Sequence, residues 1–198
     1  MQCWKTISAA ALATLIGICS PGDAALASSW RIAQRTPADW ARADADTVRL
    51  DPGVFSEVPA RVRTELKRLG CTIPQPSGAS TRRNVVSGRF TTAALKDWAV
   101  LCSRRGTSAI LVFEGGSPTQ VRELAAQPDA QYLQVMGRTP AIGYSRGLAV
   151  ATPQLIRRRL QGGGGREPRP LDHDGIEDAF EGKASVVWYW SRQEWIQL

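Results

Sequence analysis

One histidine (His173), one asparagine (Asn84) and four lysines are all that 198 residues contain of those types. Lysine and asparagine use A-rich codons, and arginine is abundant in their place. The net charge of +7 therefore reflects G+C-rich coding at least as much as a polyanionic partner. The single histidine leaves serine- or cysteine-based catalysis with one candidate base of that type. The chain also lacks CxxC, HExxH, a P-loop and a dinucleotide fingerprint, the motifs that most directly announce zinc, redox or nucleotide chemistry. No apolar run reaches the roughly 20 residues that a membrane-spanning helix needs.

The longest apolar run lies at the N-terminus, from Ile7 to Ile18, behind a single positive charge at Lys5. The breaker pair Pro21-Gly22 and the small-residue site Ala25-Leu26-Ala27 follow. This is the pattern of a secretory signal peptide over residues 1–27, cleaved after Ala27 and leaving a periplasmic or secreted protein. Lipidation at Cys19 is disfavoured, because the preceding residue is the large, β-branched Ile18. Removing residues 1–27 also removes Cys3 and Cys19, so Cys71 and Cys102 remain as one pair. In an oxidising compartment, two cysteines without a competitor are expected to form a disulfide.

Residues 28–198 suit one domain with a proper core. Val58, Val62, Leu66 and Leu69 recur at helical spacing after Pro59, and Gly70 supplies a stop, so a helix is expected to Leu69. Residues 74–83 read as a loop by composition. Residues 84–90, 98–103 and 109–113 read as strands, the last two joined by a tight turn at Arg104–Thr107. Trp98, Val100 and Cys102 alternate with Ala99 and Leu101, an apolar pattern on both faces that marks a central strand. Ser117-Pro118 and Thr152-Pro153 look like helix starts, predicting helices over 118–126 and 153–160. Strands are expected at 132–136 and 142–145, a flexible loop at 162–170, a helix at 175–181, and a hairpin from 185–191 and 194–197. Residues 28–53 carry no firm pattern. Helices mixed with antiparallel strands, without a βαβ rhythm, give an α+β fold: mainly antiparallel sheet, several short helices and one disulfide.

Three motifs carry candidate chemistry. Gly143-Tyr144-Ser145-Arg146-Gly147 matches the G-x-S-x-G nucleophile elbow, in which Ser145 would need His173 as its base. The absence of a parallel-sheet rhythm argues for an ordinary strand and turn. Asp172, Asp174, Asp178 and Glu181 around Gly175 partly match a calcium loop. Pro170 occupies the first ligand position, however, and the same residues read better as a capped helix, with Asp174 and Glu177 as its capping box. Trp188, Trp190 and Trp195 form either a core cluster or, if exposed, a platform for sugar rings.

The segment from Gly88-Arg89-Phe90 through Asp97-Trp98-Ala99-Val100 to Ile110–Phe113 resembles one blade of FG-GAP/VCBS repeat proteins, which implies a β-propeller unit. With Ile142–Arg146 and His173-Asp174-Gly175-Ile176, the same stretch also resembles a family of exported bacterial proteins without assigned activity. The functional expectation is a non-catalytic binding or interaction module of the cell envelope, without cofactor or metal. Its partner would be an anionic envelope component or another envelope protein, and not nucleic acid. A small serine hydrolase using Ser145 and a calcium- or glycan-binding module are the alternatives.

Overall fold

The structure, a computed structural model, describes residues 35–137, 141–163, 168 and 170–198. The expected signal segment, and all but residues 162, 163, 168 and 170 of the expected loop at 162–170, lie outside the described residues. In chain order the elements are α1 (Pro37–Ala45), β1 (Arg49–Leu50), α2 (Ala60–Arg68), β2 (Ile73–Pro74), β3 (Val85–Gly88), β4 (Asp97–Arg104), β5 (Thr107–Phe113) and β6 (Val121–Pro128). Then come β7 (Leu133–Val135), β8 (Ile142–Tyr144), β9 (Arg146–Ala151), α3 (Pro153–Gly163), β10 (Gly175–Phe180), β11 (Ala184–Ser191) and β12 (Glu194–Gln197). Every strand pair is antiparallel, so the fold is α+β. No described helix is long and apolar enough to cross a membrane.

Two four-stranded meanders, β3-β4-β5-β6 and β9-β10-β11-β12, form the body. Alternation along the strands decides which side chains meet. Ala99, Leu101, Ile110 and Val112 of the first sheet pack against Leu148 and Ile176 of the second, with Trp188 and Trp195 at the margin. The opposite face of the first sheet sends Val100, Cys102, Leu111 and Phe113 onto Val62 and Leu66 of α2. The outer face of the second sheet is covered by α3, where Ile156 meets Val187 and Tyr189. The layers thus run helix, sheet, sheet, helix. β4 is buried on both faces, as its two-sided apolar pattern predicts. The sheets face each other, so the blade-like segment contributes three strands to a sandwich and not a propeller unit.

Helix α2 ends in a Schellman motif. Gly70, at φ 71°, lets Cys71 N–H reach Leu66 O at 2.9 Å and Gly70 N–H reach Lys67 O at 2.9 Å; the left-handed backbone there favours glycine. Cys71 is thereby aimed at β4, where it bonds Cys102 across a Cα–Cα distance of 5.0 Å.

Two predicted helices are strands. At Ser117 the hydroxyl accepts from Thr119 N–H at 3.3 Å, two residues on, closing a local turn where a helix cap would reach further along the chain. Residues 121–128 then run as β6 along β5, with a register shift that leaves Ala125 at φ 52°. At 175–181, Asp174 bonds the backbone of Arg89 with both its N–H and its carboxylate, so it caps no helix. Ile176, Asp178 and Phe180 alternate inward along β10; the period of two was disguised because one inward residue is a carboxylate. Conversely, α1 carries a full capping box, Thr36 N–H to Asp39 at 2.7 Å and Asp39 N–H to Thr36 at 3.3 Å, in the stretch with no firm pattern. Its apolar stripe is only Trp40 and Ala43, too short to register as a period.

Candidate functional site

Arg146, at the inner face of β9, is a charged side chain with no exposed surface. Its Nε and Nη2 clamp the two oxygens of Asp178 on β10 at 2.9 and 2.8 Å. Nη1 donates to the carbonyl and hydroxyl of Ser108 on β5 at 2.9 and 3.0 Å. Nη2 also donates to the carbonyl of Ala125 at 2.8 Å, which the β6 bulge turns inward. All five guanidinium donors are therefore engaged, and the Tyr132 ring lies 4.5 Å beneath. Burial alone would lower the Arg146 pKa, but the hydrogen bonds and charge of Asp178 outweigh it and raise the value. A guanidinium with every donor occupied offers a ligand nothing to bind. Arg146 joins the two sheets.

Asp97, Asn84 and Asp129 are also engaged within the fold, although one Asp129 oxygen has no partner. Asp97 receives the N–H groups of Phe90 and Thr91 and the Thr91 hydroxyl on one oxygen, and Gly115 N–H on the other. Asn84, at φ 71°, bridges Pro74 O, Arg146 O and Leu148 N–H. Asp129 accepts from Ser103 and from Arg49, which also grips Asp44 at the end of α1. None of these roles is announced by a motif, because an isolated polar residue in an apolar strand has no sequence signature of its partner.

The motif residues fall apart in space. Ser145 is buried between β8 and β9, its hydroxyl accepting from Gln134 Nε2 at 2.8 Å. It adjoins the Arg146 end of β9, while His173 precedes Gly175, which pairs with Ala151 at the other end. The two ends of this six-residue strand, five rises of about 3.3 Å, lie roughly 17 Å apart. His173 instead stacks on Tyr189 at 4.3 Å and bonds Asp174 O at 3.0 Å. Ser145 and His173 form no dyad. The calcium-loop carboxylates are likewise dispersed: Asp178 holds Arg146, Asp174 holds Arg89 N–H, and Glu181 pairs with Arg83 at 3.0 Å. No cluster of three or more potential metal-ligating side chains occurs among the described residues.

The tryptophans are shared between core and rim. Trp188 and Trp195 pack on the inter-sheet core. Trp190 meets Trp195 at 5.6 Å on one side and the Arg122 guanidinium at 5.9 Å on another. Its ring is thus half-buried against protein groups that a stacking sugar would have to share or displace.

What stays open is a cleft of about 330 Å³ between Asp46, Val48 and Leu50 on one side and residues 76–82 on the other. Its neck is built. The buried Gln75 carboxamide accepts from Arg83 N–H at 2.7 Å and donates to Arg83 O at 3.0 Å, closing the loop across its base. Ser77 adds a second anchor through its N–H to Tyr144 O at 2.8 Å and its hydroxyl from Tyr144 N–H at 2.9 Å. Val48, 59% exposed, borders the opening. A second, larger cleft of about 510 Å³ lies between Gly70 and the β4–β5 turn, where Arg104 is already paired with Glu123 at 2.6 Å. The first cleft is the candidate binding site, because a preorganised loop and uncovered apolar side chains meet there. Sequence reasoning identified 74–83 as a loop but had no signal for the partner strand β1.

Compared with known protein families, curated proteins and solved structures, the chain has no match in any of the three.

The three tyrosines give the fold a pH signature. Burial pushes the Tyr132, Tyr144 and Tyr189 phenols up from 10. The folded state favours the neutral phenol, so this contribution is intact below the unfolded pKa near 10 and is lost as pH rises beyond it toward the folded values. Absorbance at the phenolate band should therefore lag behind that of free tyrosine and rise together with loss of circular dichroism. Ionisation of all three phenols at pH 10 in folded protein would contradict their burial.

Proposed function

We propose that this chain is exported, periplasmic or secreted, and works as a non-catalytic binding module of the cell envelope. The observation that carries the reading is the Cys71–Cys102 bridge, its sulfurs buried between α2 and β4. Disulfides of this structural kind persist in oxidising compartments, and the bridge joins the two cysteines left after a signal-type segment at 1–27. Binding is favoured over catalysis because the buried polar side chains already hold the fold together. The open cleft between β1 and residues 76–82 offers the preformed surface.

Export is tested by expressing the full chain in a bacterium and weighing the protein from the periplasmic fraction. The expected product begins at Ser28 and lacks two hydrogens. A cytoplasmic product beginning at Met1 with free thiols would overturn the reading. Binding is tested by passing solubilised envelope over the immobilised mature chain, with V48E as the control. A component retained by the native chain and released by the variant is expected.

A further inference from the structure

Residues 77–83 are the longest unbroken stretch of exposed residues among those described. Small, polar residues, Ser77-Gly78-Ala79-Ser80-Thr81, lead into Arg82-Arg83 without helix or strand. Exposed loops of this composition are where endoproteases nick folded domains, because the protease must draw its substrate into an extended strand. Arginine directs a protease whose primary pocket carries a carboxylate. The other paired arginines are poorer substrates: Arg104-Arg105 sit at the β4–β5 turn with a strand on each side, and Arg157-Arg158-Arg159 lie inside α3.

Two further observations bear on the fate of a nicked chain. Both flanks are anchored by bonds other than those of the scissile amide, Ser77 to Tyr144 and the Arg83 carbonyl to Gln75 Nε2 at 3.0 Å, with Asn84 buried just beyond. The loop also lies inside the span closed by the Cys71–Cys102 bond. We propose that the Arg82–Arg83 bond is a processing site for an arginine-directed endoprotease, and that the product is one folded molecule of two chains joined by the disulfide. The step consumes one water. The Arg82 carbonyl carbon gains oxygen and becomes a carboxylate, and Arg83 leaves with a new α-amino group that still has a hydrogen to donate to Gln75. At the scissile amide the hydrogen bond from Arg83 N–H must open, and the Arg82 guanidinium must leave the Val54 carbonyl and the Phe55 ring to enter the protease pocket.

The test is limited trypsin digestion of the oxidised mature chain, residues 28–198. The expected product gains the mass of one water, runs as a single species without reductant, and separates on reduction into 28–82 and 83–198. It melts in one transition like the uncut chain. R82Q, an exposed substitution checked for an unchanged melt, removes the reductant-dependent pair. Protein recovered from the envelope of its own cells should carry the same Arg83 N-terminus. The proposal fails if no such pair forms, if it starts at another residue, if R82Q is cut as before, if the cut chain unfolds, or if only intact chain is found in the envelope.

Discussion

Asp178→Ala is expected to destabilise the protein by about 3–5 kcal/mol, the cost of stranding one member of a buried ion pair. The substitution removes both oxygens that clamp Arg146, leaving a cation with no exposed surface and two N–H groups without acceptors. The remaining partners, Ser108 and the Ala125 carbonyl, are neutral and cannot balance the charge. A domain of this size has only about 5–15 kcal/mol of stability in total, so the effect should be plain in a urea or thermal unfolding curve. A loss below about 1 kcal/mol would mean that water reaches Arg146 in the folded state.

Pairing the change with Arg146→Met separates the charge from the packing. The double variant has no buried ion, only carbonyls that have lost a donor. It should therefore be less destabilised than the sum of the single variants, because residues sharing one network are not additive. Hydrophobic replacement of a whole buried ion pair is often neutral or better. A double variant as unstable as the sum would show that Arg146 and Asp178 act separately.

This network also marks the limit of what the sequence made legible. The strands β3, β4 and β5, helix α2 with its Gly70 stop, helix α3 and the terminal hairpin all follow from apolar period and turn chemistry. Local signals suffice where apolar side chains line one face. They mislead at β10, because Asp178 faces inward and its acceptability depends on Arg146, thirty-two residues earlier. They mislead at β6 because Ser117-Pro118 has the composition of a helix cap, while pairing with β5 decides the outcome. The G-x-S-x-G match shows the same problem in reverse: Tyr144, Ser145 and Arg146 are there for packing and cross-sheet bonds. The cleft was half legible. Residues 74–83 read as a loop, but the Gln75 neck and the facing β1 depend on contacts that no local pattern records.

Removing the disulfide should be comparably severe. Cys71 and Cys102 are separated by 31 residues, for which the chain-entropy model gives about 3–4 kcal/mol. Both side chains are buried, at 4% and 0% exposure, so a C71A/C102A variant loses little polar or charged interaction and reports mainly the crosslink. Urea unfolding of the variant should show a midpoint well below that of the oxidised chain. Reduced native chain should match the variant. The same burial makes a kinetic prediction: a thiol reductant meets no sulfur at the surface, so reduction must await the opening of α2 from β4. Its rate should rise with urea in step with that opening, and fast reduction without urea would place the bond in a region that opens freely. The Schellman turn at Gly70 sets the direction in which Cys71 leaves the helix toward β4. If the variant lost less than about 1 kcal/mol, the apolar contacts of Val62 and Leu66 with the sheet would hold α2 in place on their own. The bridge would then mark the compartment without securing the fold.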